Sequence, residues 1–162
     1  MMSISQTAVA LLKVPMGGIG YAKGPDELET LLGSCVGVAI WDRTTGHGGL
    51  AHVVLPESRG GEGPPGKYAD TAVAEMRREL VSRGANPLGM KAKIAGGATM
   101  FGQRKLGDVG QRNCEAVVQY LQEHKIAIVG QHLGGNQGRV IRFSLEDGSV
   151  RVFVAREEVA LI

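Results

Sequence analysis

The sequence predicts an α+β fold with mostly antiparallel or mixed sheets, and three observations lead to this prediction. Short apolar and β-branched runs bounded by glycine and proline dominate the first half, which is typical of strands. Two later segments carry apolar residues at helical spacing. The final segment alternates apolar and polar residues around Asp147-Gly148, as a β-hairpin does. Because strands and helices do not alternate regularly, a parallel βαβ array is not expected.

The expected strands end at turn-forming residues, such as Pro15 after the first strand and Gly33 between the second and third. The loop Ser58–Lys67 contains the spacing G-x-x-x-x-G-K of a phosphate-binding loop. Tyr68 follows where that motif needs Ser or Thr, so no nucleotide site is expected. The expected strands are Thr7–Val14, Leu28–Leu32, Cys35–Trp41, Leu50–Leu55, Met90–Ala95 and Ile126–Val129.

Two main helices are expected from apolar stripes. The first covers Tyr68–Arg83 and ends at Gly84, a residue that commonly follows the last helical turn. Its stripe consists of Ala69, Ala72, Val73, Met76 and Leu80. The second covers about Val109–His124, with Cys114, Val117, Val118 and Leu121 on one face.

The C-terminal β-hairpin has a predicted register. Asp147-Gly148 favours a two-residue type I′ turn. With that turn, one face of the hairpin is wholly apolar, which makes the register self-consistent. The predicted pairs are Leu145 with Val150, Phe143 with Val152 and Ile141 with Val154.

Composition limits the class of protein. The chain has 162 residues, a net charge of +2 and 43% hydrophobic residues, so a single folded domain over residues 1–162 is expected, not a disordered chain or a nucleic-acid binder. Its longest stretches without a charged residue or a histidine, Met1–Leu12 and Thr30–Trp41, are shorter than the about 20 residues of a membrane span. The N-terminus lacks the basic segment of a secretory signal, so no membrane insertion is expected.

Three residue types set further limits. The chain carries 25 glycines, where average usage of about 7% predicts roughly 11, so many tight turns or close backbone approaches are expected. Two cysteines need no disulfide and favour a cytoplasmic location. The four histidines His47, His52, His124 and His132 lack metal-ligand spacing, so neither a metal nor a cofactor is expected.

Cys35 is the candidate nucleophile, although a buried cysteine more often packs as a small apolar residue. Gly33 and Ser34 turn the backbone next to its sulfur, which can leave N–H groups free for an oxyanion. His52, on a nearby apolar strand, needs a polar partner, and Thr30 offers a hydroxyl that can orient its imidazole. His52 as a hydrogen-bonded core histidine remains the alternative. Cys114, on a helix stripe, is interpreted as core.

Several segments together resemble the chemoreceptor glutamine deamidases known as CheD. They lie in the same order and span about Val14 to Val154. The segments are Thr30-Leu31-Leu32-Gly33-Ser34-Cys35-Val36-Gly37-Val38, Gly49-Leu50-Ala51-His52-Val53-Val54-Leu55-Pro56, Gly66-Lys67-Tyr68-Ala69-Asp70-Thr71-Ala72-Val73, Lys93-Ile94-Ala95-Gly96-Gly97-Ala98-Thr99-Met100-Phe101 and Gly134-Gly135-Asn136.

The resemblance implies a layered α/β/β fold and a cytoplasmic enzyme that hydrolyses particular glutamines of chemotaxis receptors to glutamate. It implies Cys35 as nucleophile and His52 as base, acting through a thioester without a metal or cofactor. The family threonine maps to Thr30, although some members carry it one residue further from the cysteine, where this chain has Glu29. A CheC-type chemotaxis phosphatase is a frequent partner in this family.

Two other functions stay open on the sequence. A non-enzymatic adaptor for such a phosphatase would use Met100 and Phe101 as a partner contact, although Phe101 can equally cap the core. A small-molecule amidase would turn over free glutamine. The glycine-rich rim around the expected cleft favours a macromolecular substrate, whose backbone would need to approach closely.

Overall fold

The computed structural model describes residues 8–100 and 108–162, which form ten strands and two α-helices in three layers. The strands make two five-stranded mixed sheets, and the helices cover one face of one sheet, which confirms the predicted α+β fold and its α/β/β layers. Elements are numbered in chain order. They are β1 (Leu11–Lys13), β2 (Ile19–Lys23), β3 (Glu27–Leu32), β4 (Val36–Asp42), β5 (His47–Val53), α1 (Ala69–Ser82), β6 (Met90–Gly96), α2 (Val109–Glu123), β7 (Ala127–Leu133), β8 (Arg139–Ser144), β9 (Val150–Val154) and β10 (Glu157–Leu161).

The two sheets differ in position. The central sheet has the order β2-β5-β4-β6-β7, and the outer sheet has the order β1-β3-β8-β9-β10. Neighbours are antiparallel except for β6 with β7 and β1 with β3, which are parallel. Strand β4 lies in the middle of the central sheet and is buried along its whole length, because helices cover one face and the outer sheet covers the other.

The helices pack on the central sheet largely as their apolar stripes predict. All five stripe residues of α1 are buried, and Gly84 follows the helix with a φ of +107°. Helix α2 buries Val117 and Leu121 as predicted, whereas Cys114 is only half-buried. Its buried face also contains a polar residue, Asn113, which is fully inaccessible to solvent. Neither helix is long and apolar enough to cross a membrane, nor is any other helix of residues 8–100 and 108–162.

The final hairpin is confirmed, but its predicted register is wrong. Ile141 pairs with Val152 and Phe143 with Val150, so the connection is longer than a two-residue turn. Leu145 leaves the ladder because its N–H donates to Asp26 O at 3.0 Å and its side chain packs between the two sheets. The shift is of an even number of residues, so the predicted apolar face still faces the core. Strands β2 and β10 were not predicted.

Two glycines at the end of β6 allow its backbone to approach the turn before β4 closely. Gly96 has a φ of +112°, and a Cβ there would collide with the carbonyl oxygen of Cys35. Gly97 has a φ of +68°, and a Cβ there would collide with the sulfur of Cys114. These positions require glycine for both conformation and space. The predicted need for close backbone approach is therefore met beside Cys35.

Candidate active site

A cavity of about 310 Å³ opens where the two sheets meet near the start of β4. Its wall combines the turn before β4, the end of β5 and the first turn of α2. Both the candidate nucleophile and the candidate base line this cavity. The lining residues are Met16, Leu31, Gly33, Ser34, Cys35, His52, Ala98, Met100, Asp108, Val109 and Gly110.

The turn before β4 holds Cys35 at the cavity wall. The carbonyl oxygen of Gly33 accepts a hydrogen bond from Ala98 N at 3.0 Å, and that of Cys35 accepts one from Gly97 N at 2.9 Å. Both bonds anchor the turn to the end of β6. The Cys35 side chain is 7% exposed, and its thiol is free. The candidate nucleophile therefore lies on a backbone held by two hydrogen bonds and faces a space large enough for a side chain.

Strand pairing brings His52 to the same face of the central sheet as Cys35. His52 pairs with Gly37, and Cys35 lies two residues before Gly37. Cys35 lies in the bend directly before β4, where it continues the alternation of the strand and packs on the same side as Ala39, so Cys35 and His52 are diagonal neighbours. This face is the one covered by the outer sheet, since Cys35 belongs to the core between the sheets.

Thr30, on β3 of the outer sheet, reaches across to His52. Its Oγ1 lies 2.7 Å from His52 Nδ1 and also donates to Val14 O at 2.9 Å. A hydroxyl has one proton, so with that proton on Val14 O the oxygen must accept from Nδ1–H. The assigned tautomer therefore leaves Nε2 as the basic nitrogen. Nε2 has no hydrogen-bond partner in the part of the chain that the structure describes.

The neighbouring residue Glu29 does not take this place. Its carboxylate binds Arg142, with Oε1 at 2.8 Å from Nη2 and 3.1 Å from Nε. Alternate residues of a strand face opposite sides, so Glu29 lies on the face of β3 away from His52. Thr30 is thus the threonine that contacts the imidazole.

Burial sets the charge state of the pair. It raises the pKa of the Cys35 thiol and lowers the pKa of His52, because a desolvated thiolate or imidazolium is disfavoured. Both shifts favour a neutral thiol beside a neutral imidazole. With Nε2 unpartnered within the described residues, the thiol is not hydrogen-bonded to it in this resting arrangement.

Backbone N–H groups border the cavity on two sides. In residues 8–100 and 108–162, the N–H groups of Ser34 and Cys35 donate to no other backbone group. The first turn of α2 approaches from the other side through Val109 and Gly110, and the positive end of a helix dipole favours negative charge. Asp108 is engaged elsewhere, since it accepts from Gln111 N at 3.3 Å and from the hydroxyl of Thr99.

Other residues singled out from the sequence have different surroundings. Met100 is half-buried and lines the cavity, whereas Phe101 lies outside the described residues. Cys114 packs against the hydrophobic core between the helices and the central sheet, here called the helix-side core. Nδ1 of His132 lies 2.9 Å from Arg139 Nη1. Among the described residues, no group of three or more His, Cys, Asp and Glu side chains is placed to hold a metal ion.

Sequence reasoning missed Asn113. Its Nδ2 donates to Ser34 O at 3.1 Å and to Val54 O at 2.9 Å, so it touches the backbone beside Cys35 and near His52. The only signal in the sequence was its spacing, since it lies four residues before Val117 on the buried face of α2.

Known proteins with similar sequences share one family. The family described as CheD chemotactic sensory transduction matches residues 54–153. The chemoreceptor glutamine deamidase CheD of Thermotoga maritima is 41% identical over 140 residues, which cover 86% of this chain and 88% of that protein. A probable chemoreceptor glutamine deamidase CheD of Methanococcus maripaludis strain C6 is 48% identical over 144 residues, covering 88% of this chain and 94% of that protein. A probable chemoreceptor glutamine deamidase CheD of Clostridium kluyveri is 40% identical over 147 residues, covering 87% of this chain and 91% of that protein.

Proposed function

Because the chain belongs to the CheD family, we propose that it is a protein-glutamine glutaminase that converts glutamine side chains of chemoreceptors to glutamate. The observation that carries the proposal is the arrangement in the cavity. Cys35 and His52 line one space, and Thr30 holds the imidazole with Nε2 unpartnered within residues 8–100 and 108–162. A thiol and a base with an oriented ring are the groups that nucleophilic hydrolysis of an amide needs.

The first step forms a thioester. Nε2 of His52 accepts the thiol proton, and the Cys35 sulfur forms a bond to the side-chain carbonyl carbon of glutamine. The carbonyl electron pair moves to oxygen, where the N–H groups of Ser34 and Cys35 donate to the developing oxyanion; such a donor contributes about 3–4 kcal/mol in comparable enzymes. The C–N bond then breaks, and the His52 imidazolium gives its proton to the departing nitrogen. Ammonia leaves, and the acyl group stays on Cys35.

The second step hydrolyses the thioester. His52, neutral again, accepts a proton from a water molecule as its oxygen attacks the acyl carbon. The C–S bond breaks as the tetrahedral intermediate collapses, and the sulfur recovers a proton from His52. The side chain leaves as a carboxylic acid, which ionises to glutamate by giving its proton to ammonia or to solvent water, and the dyad returns to its neutral state. Cysteine, histidine and water account for every atom and proton transferred.

The rim of the cavity supports a protein substrate. Met16 and Leu31 line the mouth and are 70% and 68% exposed. Large apolar side chains left in water at the edge of a cavity gain free energy when a second protein surface covers them. A receptor segment that inserts one glutamine would provide such a surface, whereas free glutamine would leave both side chains exposed.

A CheC-type phosphatase is proposed as a second partner at Met100. This side chain lines the same cavity, so a partner bound there would compete with the receptor for the mouth.

A cytoplasmic location follows from the proposed chemistry, since both cysteines are free and the nucleophile must stay reduced. We also propose that the chain forms one domain. Its two hydrophobic cores, one between the helices and the central sheet and one between the two sheets, both pack on the central sheet.

The test is deamidation of a purified receptor fragment. Mass spectrometry follows the mass change when an amide NH2 becomes OH. Cys35→Ala should abolish the conversion, and Cys114→Ala, the matched loss of the other thiol, should keep it. Full conversion by Cys35→Ala would overturn the proposal. Turnover of free glutamine without the receptor fragment would point to a small-molecule amidase. Phosphatase binding without any conversion would point to an adaptor.

A further inference from the structure

We propose that Asn113 is a positioning residue that fixes the Ser34–Cys35 peptide and the end of the His52 strand relative to each other. This inference rests on the proposed function, because it concerns the geometry of the same reaction. Asn113 lies on α2, and its side chain is fully inaccessible to solvent. It lies outside the cavity wall, so it acts through the groups that it holds and not on the substrate.

The backbone pairing between β4 and β5 stops just before the cavity. The last pair toward the cavity is Val36 with Val53. Beyond it the strands part, and the N–H groups of Val54 and Leu55 donate to Lys67 O at 2.9 and 3.0 Å. The side chain of Asn113 spans this gap, since Nδ2 donates both to Ser34 O and to Val54 O. One amide group thus replaces the missing rung between the strands that carry the nucleophile and the base.

The second observation concerns one peptide plane. The carbonyl of Ser34 and the N–H of Cys35 belong to the same planar peptide group and point in opposite directions. A hydrogen bond to Ser34 O therefore also fixes the direction of the Cys35 N–H, the proposed oxyanion donor. Donation to the carbonyl oxygen additionally polarises the peptide and strengthens its N–H as a donor.

The third observation is an unmet hydrogen-bonding need. Both partners of Nδ2 are carbonyl oxygens, which only accept, so the orientation of the amide is fixed. Oδ1 then has no partner within residues 8–100 and 108–162, although it is buried. Leaving such a group unpaired costs about 1–3 kcal/mol. This cost offsets much of what the two donated hydrogen bonds contribute, so Asn113 is better explained by the geometry that it imposes than by the stability it adds.

The test compares Asn113→Ala and Asn113→Leu with Val117→Ala. Val117 is equally buried one turn further along α2 and packs only in the helix-side core, so its loss controls for general loosening of the helix. Conversion of the receptor fragment gives kcat and KM, and each variant is assayed below its unfolding transition. We expect both Asn113 variants to lower kcat about 10- to 100-fold with KM unchanged, as misplaced catalytic groups do. Val117→Ala should keep the kcat of the native chain.

A second readout does not depend on turnover. In a Cys114→Ala background, the rate of Cys35 alkylation by iodoacetamide is measured against pH. In the native sequence, His52 assists removal of the thiol proton, and this assistance should weaken in the Asn113 variants. Their profile should approach that of His52→Gln, while Val117→Ala keeps the native profile.

The outcomes separate the two proposals. Native kcat and a native alkylation profile in either Asn113 variant would overturn the positioning role. An equal loss of kcat in Val117→Ala would do the same, as would failure of both Asn113 variants to fold, since Asn113 would then serve stability. If the native chain does not convert the receptor fragment, the proposed function fails, and the alkylation profile still reports on Asn113.

Discussion

The two ends of strand β4 show two uses of buried polar groups. At the far end, Asp42 is fully buried, and its carboxylate accepts from Thr44 N, Thr45 Oγ1 and Asn86 N at 3.1, 3.0 and 2.8 Å. At the cavity end, His52 has one partner and a free Nε2 among the described residues. A carboxylate whose oxygens have their hydrogen-bond partners stabilises a turn. An imidazole with one unpartnered nitrogen keeps a lone pair available to accept a proton.

The difference shows how the site can be recognised without reference to relatives. Hydrogen-bond saturation marks the polar end of β4 that holds the fold together. Missing partners, a cavity and an oriented ring mark the end that we propose performs the chemistry. The predictions below test this contrast by changing one end at a time.

The largest effect is expected for His52→Gln. Glutamine can still donate to Thr30 Oγ1 but cannot accept and return a proton, so kcat should fall by about 10²- to 10⁴-fold. The free energy of unfolding should change little by comparison, which chemical denaturation measures. An activity close to that of the native chain would show that Nε2 does not move the proton.

A smaller loss of activity is expected for Thr30→Val. Valine keeps the shape of threonine but removes the hydroxyl that holds Nδ1, so the ring loses its fixed tautomer and orientation. One such contact is worth about 1–3 kcal/mol, which corresponds to a kcat lower by roughly 5- to 150-fold. Thr30→Ser retains the hydroxyl and should recover most of the activity. Equal activity of the valine and serine variants would contradict this role.

At the other end, Asp42→Asn should affect stability and leave kcat unchanged. Burial alone would raise the pKa of Asp42, but hydrogen bonds from Asn86 N, Thr44 N and the Thr45 hydroxyl outweigh it and lower the pKa. Asparagine cannot accept all three bonds, so the free energy of unfolding should fall by about 1–3 kcal/mol. A lowered carboxyl pKa stabilises the fold above the unfolded value of about 3.9, and this contribution disappears as the pH falls through the folded value.

Denaturation at several pH values measures this effect. The difference between the native chain and Asp42→Asn should be largest near neutral pH and should close in acid. A large drop in kcat for the folded variant would remove the distinction between the two ends of the strand.

The smallest effect is a shift in the pH profile of kcat/KM. Activity needs a neutral His52 to accept the proton and a protonated Cys35 in the resting pair. Burial lowers the pKa of His52 from 6.5 and raises the pKa of Cys35 from 9.0. The acidic limb should therefore lie below pH 6.5 and the alkaline limb above pH 9.0, which gives a broad plateau. An acidic limb above pH 6.5 or an alkaline limb below pH 9.0 would contradict these shifts.

The sequence was most informative where local pattern and tertiary environment agree. The helical stripe of α1 is buried as predicted, and the residues of the site follow from a cysteine beside a glycine turn, a histidine on an apolar strand and a nearby threonine. The predicted hairpin register is wrong because the side chain of Leu145 packs between the two sheets. This packing outweighs the local preference of Asp147-Gly148 for a two-residue turn. Turn chemistry alone does not contain that long-range contact.

Asn113 could not be found for a related reason. On a helix of mixed composition, an asparagine next to an apolar stripe is usually a solvated residue. Its importance comes from carbonyl groups 79 and 59 positions away in sequence, which only the assembled layers bring together. The edge strands β2 and β10 were missed because β2 is largely half-buried and β10 largely exposed, so neither carries a clear alternation of buried and exposed residues.

The contact between Thr30 and His52 joins the two sheets beside the cavity and adds to the apolar packing between them. Its consequence concerns the time course of folding. A chain in which only the central sheet has formed already carries Cys35 and His52 on neighbouring strands, yet its imidazole is free to rotate and to exchange tautomers. Docking of the outer sheet ends that freedom. A fixed imidazole beside the thiol therefore requires both sheets in place, and a chain whose outer sheet has not docked or has come away lacks it.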